Sequence, residues 1–150
     1  MKVSIIVKAE PDDLLHLIPC LDGQTYSPYE ILLLCDERTN NWLRNLNRPK
    51  KTIRAIYQNA TIQTAVLYST GDLLCFLDAD TMCDPDFLSH WVGMFKIQPD
   101  VYAIGPGVTM VQRYNYIRCG GLEGLSDDLL RVDNTNLVTT RSILNVSGYL

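Results

Sequence analysis

The stretch LLCFLDADTMCDPDFL, residues 73–88, decides the fold. Leu73, Leu74, Phe76 and Leu77 make a short, unbroken apolar run, the pattern of a strand covered on both faces. The run ends in two carboxylates, Asp78 and Asp80, one residue apart. Open α/β sheets hold their ligands beyond the carboxyl ends of their strands. On extended chain, residues i and i+2 point the same way, so both carboxylates would face one hard divalent cation. Such a cation can in turn hold a diphosphate. The competing reading is an acid-rich turn, and Asp84 and Asp86 are better explained as helix caps.

Outward from this stretch, apolar runs alternate with helical patterns. Val3 to Val7 predicts a first strand, and Leu14, Leu17, Ile18 and Leu21 recur at helical spacing. Asp12 can cap that helix, while Pro19 is expected to kink it or end it early. Ile31 to Cys35 predicts a second strand, Thr39 to Leu46 a short helix and Ile53 to Tyr57 a third strand. Ala60 to Ser69 predicts a helix stopped by Gly71. After the fourth strand, Leu73 to Leu77, Asp84 and Pro85 signal a helix start. Leu88, Trp91, Val92 and Phe95 give that helix one apolar stripe. Val101 to Ile104 predicts a fifth strand, broken by Gly105-Pro106-Gly107. Residues 112–134 are polar, with one helix expected around Leu122 to Leu130, and Leu137 to Thr140 predicts a last strand. The order implies a three-layer α/β/α fold whose mixed sheet is mainly parallel.

The bulk numbers agree with one ordinary domain. The 150 residues are 47% hydrophobic and 20% charged, enough to bury a sizeable core. A net charge of −4 argues against nucleic acid as a partner. The one basic cluster, Arg48, Lys50, Lys51 and Arg54, reads as a solvated turn or as a contact for a membrane surface or acidic partner. No apolar run reaches the roughly 20 residues that span a bilayer, and the opening MKVSIIVKAEPDD reads as a strand, not a signal peptide. The five cysteines show no CxxC spacing and read as free thiols in a reducing cytoplasm. His16 and His90 lie too far apart in sequence to suggest zinc with them.

Several segments, taken in order, resemble family 2 glycosyltransferases with the GT-A-type nucleotide-diphosphosugar fold. VSIIV resembles the opening strand of that family. QTYSPYEILLLCDERTN resembles its Gln-Thr/Ser-Tyr turn and second strand with acidic end. STGDLLCFLDADTMCDPDFL resembles its Gly-Asp/Glu turn, strand, Asp-x-Asp motif and following helix. NTNLVTTRSILNVSGYL resembles its acceptor-side segment. The resemblance implies transfer of a sugar, with inversion, from a nucleotide-diphosphate donor such as a UDP-sugar to a hydroxyl on a glycan, lipid or protein. It implies Mn2+ or Mg2+ as cofactor. By position, Asp36 would bind the base, Asp78 the ribose and metal shell, and Asp80 the cation. Lys8 and Glu10 could still meet a nucleotide edge or stand in an exposed loop, and Arg141 could meet the diphosphate or be a surface or ion-pair residue.

The departures are specific. Where the family usually has a Pro-aromatic-Asn loop, this chain has Lys8-Ala9-Glu10-Pro11. Where it often has Ala-Arg-Asn, this chain has Thr61-Ile62-Gln63, so a basic phosphate contact is missing. An inverting enzyme needs a carboxylate to deprotonate the acceptor. In the family it lies downstream of the segment ending here at Leu150. Asp127, Asp128 and Asp133 remain, with Asp133 ranked first; an ordinary turn Asp is its structural alternative. Tyr114, Tyr116 and Trp42 are candidates to stack on sugars, and the two tyrosines fit a half-buried strand equally well. A single domain is expected, with a nucleotide-binding part at about residues 1–105 and a shortened acceptor part at about 106–150. The expected setting is the cytoplasm, free or peripheral to a membrane, and a homodimer is expected across the exposed edge. The alternative function is a nucleotide-sugar-binding module that lacks the base. A nicotinamide-dependent oxidoreductase fits poorly, since no GxGxxG follows the first strand. A glycosidase fits poorly too, because two acids from one tripeptide cannot flank a bond from opposite sides.

Overall fold

The structure, a computed structural model, describes residues 1–45 and 53–140. Three strands at one end of the main sheet are β1 (Val3–Lys8), β2 (Tyr29–Leu34) and β3 (Ile53–Ile56). Next in chain order come β4 (Leu73–Leu77), β6 (Val101–Gly105), β7 (Val108–Gln112) and β8 (Leu130–Asp133), with β5 (Thr81–Cys83) and β9 (Val138–Thr140) forming a separate pair. The seven-stranded sheet runs β3-β2-β1-β4-β7-β6-β8. β7 alone is reversed: it pairs antiparallel with β4 and with β6, while the other pairings are parallel. This is the mainly parallel mixed sheet expected from the alternation of apolar runs and helical patterns.

The helices are α1 (Pro11–Asp22), α2 (Glu37–Arg44), α3 (Ile62–Tyr68), α4 (Phe87–Ile97), α5 (Arg113–Arg118) and α6 (Leu125–Asp128). Alternate residues of each strand supply two cores, as the period of two requires. Ile5, Val7, Leu33, Leu73 and Cys75 pack on the side of α1 and α4. Ile6, Leu32, Leu74 and Phe76 pack on the opposite side with Ala65 and Val66 of α3 and Tyr116 of α5. Leu88, Trp91, Val92 and Phe95 are all fully buried, as their helical spacing predicts. Each such apolar side chain contributes roughly 1.5–3 kcal/mol by leaving water.

Several local expectations are corrected. α1 is capped by Glu10, not Asp12: the Glu10 N–H donates to the Asp13 carboxylate at 3.1 Å. Pro19 does not end α1, which continues to Asp22. Pro19 lies on the exposed face, where a carbonyl left without its helical donor meets water, and Leu17 and Leu21 hold the last turns in the core. Gly71 does not stop α3; Ser69 does, in extended conformation. Gly71 is there because its N–H donates to Ser4 Oγ at 2.7 Å, too close an approach for a Cβ. Asp84 and Pro85 form a turn ahead of α4, in which the Asp84 carboxylate accepts from the Asp86 N–H at 3.0 Å. β7, α5 and β8 fall where the sequence pattern blurs. Tyr114 and Tyr116 stand on α5, and the helix expected at Leu122 to Leu130 is a 3-10 turn followed by α6.

Candidate functional site

The parallel strands end together. Val7 pairs with Leu77 and Lys8 with Leu34, so the residues that follow β1, β2 and β4 emerge at one level of the sheet. A cleft opens along this rim in two lobes that share Lys8, Leu34 and Ala60. One lobe, about 560 Å³, has Ile6 and Phe76 in its wall with Asp78, Ile104, Gly107 and Thr109. The other, about 520 Å³, is bordered by Glu10, Asp13, Asp36, Thr39 and Tyr57. Each is large enough for part of a nucleotide.

Asp78 and Asp80 do not lie on extended chain. The Thr81 N–H donates to the Asp78 carbonyl at 3.1 Å, closing a four-residue turn. Asp-Ala-Asp-Thr supplies turn-forming residues, and the chain must reverse to enter β5. The turn is pinned from the β6–β7 hairpin: the Gly107 carbonyl accepts from the Asp78 N–H at 2.8 Å and from Thr81 Oγ1 at 3.0 Å. Gly107 has φ +70, and a side chain there would collide with Thr81 Oγ1. The Asp78 carboxyl is pushed above its ordinary range, first by partial burial and then by the charge of Asp80. Two negative groups crowded on one turn are the electrostatic setting that a cation relieves.

Asp36 follows β2 and caps α2, accepting from the Thr39 N–H at 2.7 Å. The neighbouring Thr39, by its side chain and then by its N–H, holds the Asp36 carboxyl below the usual range despite slight desolvation, with Arg38 nearby. Lys8 is exposed at the end of β1 and faces both lobes. Of the residues singled out in sequence, the cleft therefore gathers Lys8, Glu10, Asp36 and Asp78, with Asp80 close enough to act on Asp78. Asp133 is apart from them: it ends β8, exposed, with its carboxylate 2.7 Å from Arg131 Nε. Arg141 lies outside the described residues, as do Arg48, Lys50 and Lys51 of the basic cluster. Among the described residues no group of three or more His, Cys, Asp or Glu side chains could hold a metal, and no helix is long and apolar enough to cross a membrane.

Tyr57, Thr39 and Thr109 border the cleft without having been singled out. Tyr57 follows β3, so the rule that strand ends carry ligands was a usable signal. Thr109 comes from the reversed strand, and no local pattern connects it to residues 8 or 78.

Comparison with known proteins gives a consistent picture. The family model described as Glycosyl transferase family 2 matches residues 3–137. No curated protein sequence matches the chain. Among solved structures it resembles the mannosyltransferase PcManGT from Pyrobaculum calidifontis, in complex with GDP-Man and Mn2+. The TM-score is 0.75 at 13% identity, over 89% of this chain and 55% of that one. It also resembles TarS of S. aureus, with TM-score 0.71 at 9% identity, over 93% of this chain and 36% of that one. A TarS 1-349 complex with UDP-GlcNAc gives TM-score 0.60 at 16% identity, over 71% of this chain and 34% of that one. At these identities the likeness is one of fold. The chain spans 55% of the length of the first and 36% and 34% of the others.

Proposed function

The chain belongs to glycosyl transferase family 2, and from that premise we propose that it transfers a sugar from a nucleotide-diphosphate donor to an acceptor hydroxyl. The observation that carries the reading is the acidic turn at the end of β4, which opens on a cleft shared with Lys8 and Asp36. The nucleoside occupies the lobe of Asp36 and Tyr57. The diphosphate lies between Lys8 and the acidic turn, where the ammonium group of Lys8 offsets part of its charge. Asp36 is kept ionised by Thr39 and so presents an acceptor to the base.

The donor set at Asp78 and Asp80 fits a hard divalent ion. Carboxylate oxygens suit Mg2+ or Mn2+, which commonly take one or two carboxylates and fill the remaining positions with phosphate oxygens and water. That fits a turn offering two acidic side chains, not a closed protein cage. When bound, the ion supplies positive charge where the leaving diphosphate develops negative charge. Asp78 and Asp80 would hold it, and the bonds from Asp78 N–H and Thr81 Oγ1 to the Gly107 carbonyl keep their turn in place. The mannosyltransferase complex with GDP-Man and Mn2+ and the TarS complex with UDP-GlcNAc support a nucleotide-sugar donor and leave guanosine and uridine as the bases to compare. UDP and inversion at the anomeric carbon are the starting assignments. Residues 1–105 form the donor half.

The test is a titration of uridine and guanosine diphosphates, with and without Mn2+, on the parent chain and on Asp80→Ala. Mn2+-dependent binding by the parent alone is the expected result. Equal binding in all conditions overturns the metal bridge. Nucleotide binding without transfer or donor hydrolysis would make the chain a binding module.

A further inference from the structure

The last turn of α1 and the residues that follow it are joined to the segment after the acidic turn by a seam of polar contacts. Gln24 Nε2 donates to the carbonyls of Cys20 and Asp84 at 3.1 and 2.8 Å, and its Oε1 accepts from the Leu88 N–H at 3.0 Å. The Thr25 N–H donates to the Pro85 carbonyl at 2.9 Å, and Thr25 Oγ1 to the Asp86 carboxylate at 2.8 Å. Within the seam two cysteines, 63 positions apart, meet. The Cys20 thiol donates to the Cys83 carbonyl at 2.8 Å, and the Cys83 N–H lies 2.7 Å from the same sulfur. Both thiols are free.

We propose that Cys20 and Cys83 form a redox-modification site, a dithiol that a peroxide converts into a disulfide bridging α1 and β5. The other cysteines lack this arrangement. Cys75 is fully buried in β4, and burial pushes its thiol far up, which makes it inert. Neither Cys35 nor Cys119 has a thiol hydrogen bond to another cysteine among the described contacts.

The two sulfurs have different tasks. Cys20 is half-buried, while Cys83 is buried. The hydrogen bond from the Cys83 thiol, chiefly, brings the Cys20 thiol down to about 7, against burial and the neighbouring Asp84 charge and with help from the Cys83 N–H. The same contact, then burial, pushes Cys83 up. Cys20 is therefore the attacking thiolate and Cys83 the resolving thiol. The Cys20 sulfur attacks a peroxide oxygen; an S–O bond forms, the O–O bond breaks, and hydroxide leaves and is protonated to water. The Cys83 sulfur then displaces the oxygen from Cys20. An S–S bond forms, the S–O bond breaks, and the second water carries off the Cys83 proton. Two thiols lose two electrons and hydrogen peroxide gains them. The seam already holds the Cys20 sulfur against the Cys83 backbone, so the bridge forms between neighbours.

The test treats the full chain with hydrogen peroxide at about one equivalent and digests it without reduction for mass spectrometry. The expected product is a linked pair of peptides carrying Cys20 and Cys83, about 2 Da below their summed mass and separated again by dithiothreitol. Cys119→Ser should leave that product unchanged and Cys20→Ser should abolish it. Oxidation of Cys20 to sulfinic acid with no linked peptide overturns the proposal, as does a bridge that includes Cys35 or Cys119. The readout does not depend on sugar transfer, so it stands apart from the proposed activity.

Discussion

The backbone N–H of Asp78 donates to the carbonyl of Gly107 at 2.8 Å, so the acidic turn after β4 is held by a hairpin nearly thirty residues further along the chain. Gly107 sits at φ +70 with no room for a side chain beside Thr81. Gly107→Ala should cost about 1–3 kcal/mol of stability from backbone strain and crowding. Urea unfolding measures the loss. Mn2+-dependent nucleotide binding should weaken with it, since the strain falls on the turn itself.

Asp80→Ala removes one of the two carboxylates offered to a cation. Loss of such a charge clamp costs several kcal/mol, and each ~1.4 kcal/mol is a factor of ten in rate. Turnover with the matching donor should fall on the order of a hundredfold or more. Unfolding by urea should change little, because Asp80 is exposed. Undiminished turnover would remove Asp80 from the site.

Glu30 makes a pH-dependent contribution at the opposite end of the strands. Burial alone would raise its carboxyl. The Thr70 N–H at 2.7 Å, Ser4 Oγ at 2.7 Å, the charge of Lys2 and the Thr70 hydroxyl together hold it below the usual range. A carboxyl depressed by folding adds stability above its unfolded pKa of about 4.3, and that stability is lost as pH falls through the folded value. Glu30→Gln should therefore destabilise the chain by about 1–3 kcal/mol at pH 7. The gap between parent and variant should narrow below about pH 4. Urea midpoints at the two pH values check both statements.

Asp133→Asn tests the residue that sequence position favoured as base. Its side chain is 69% exposed, paired with Arg131, and absent from the walls of both lobes. Turnover should stay within about twofold of the parent. A loss of a hundredfold would instead place Asp133 at the acceptor.

Much of the frame was legible because it is carried by strong local patterns. Leu73 to Leu77 and Val3 to Val7 are short apolar runs, and Trp91, Val92 and Phe95 repeat at helical spacing, so periodicity alone located β4, β1 and α4. β8 escaped because LRVD at the sheet edge is mostly exposed, and four residues are too short for the alternation of Leu130 and Val132 with Arg131 and Asp133 to stand out. β9 falls within the last strand expected at Leu137 to Thr140, whereas β5 has three residues and exists by pairing with β9, a tertiary cause that no window of sequence contains. The tyrosines of α5 alternate like strand residues, yet the helix is set by what Tyr116 packs against, Phe76 at 5.6 Å between ring centres. At the candidate site, the acids at strand ends were legible and the shape between them was not. The extended-chain argument for Asp78 and Asp80 overlooked that Thr81 needs a hydrogen-bond partner, which it finds by closing the turn.

The reversal of β7 has a consequence for how such a scaffold can change. A parallel strand would have required a long crossover to arrive beside β4, whereas the hairpin at Gly105–Gly107 brings the far wall of the cleft back in a single tight step. That wall is thus a short hairpin turn, hung from its neighbouring strands and backed at Gly105 by Trp91 of α4. Lengthening or recolouring it would reshape what enters from that flank while the opposite bank, with Lys8 and Asp36, kept its register.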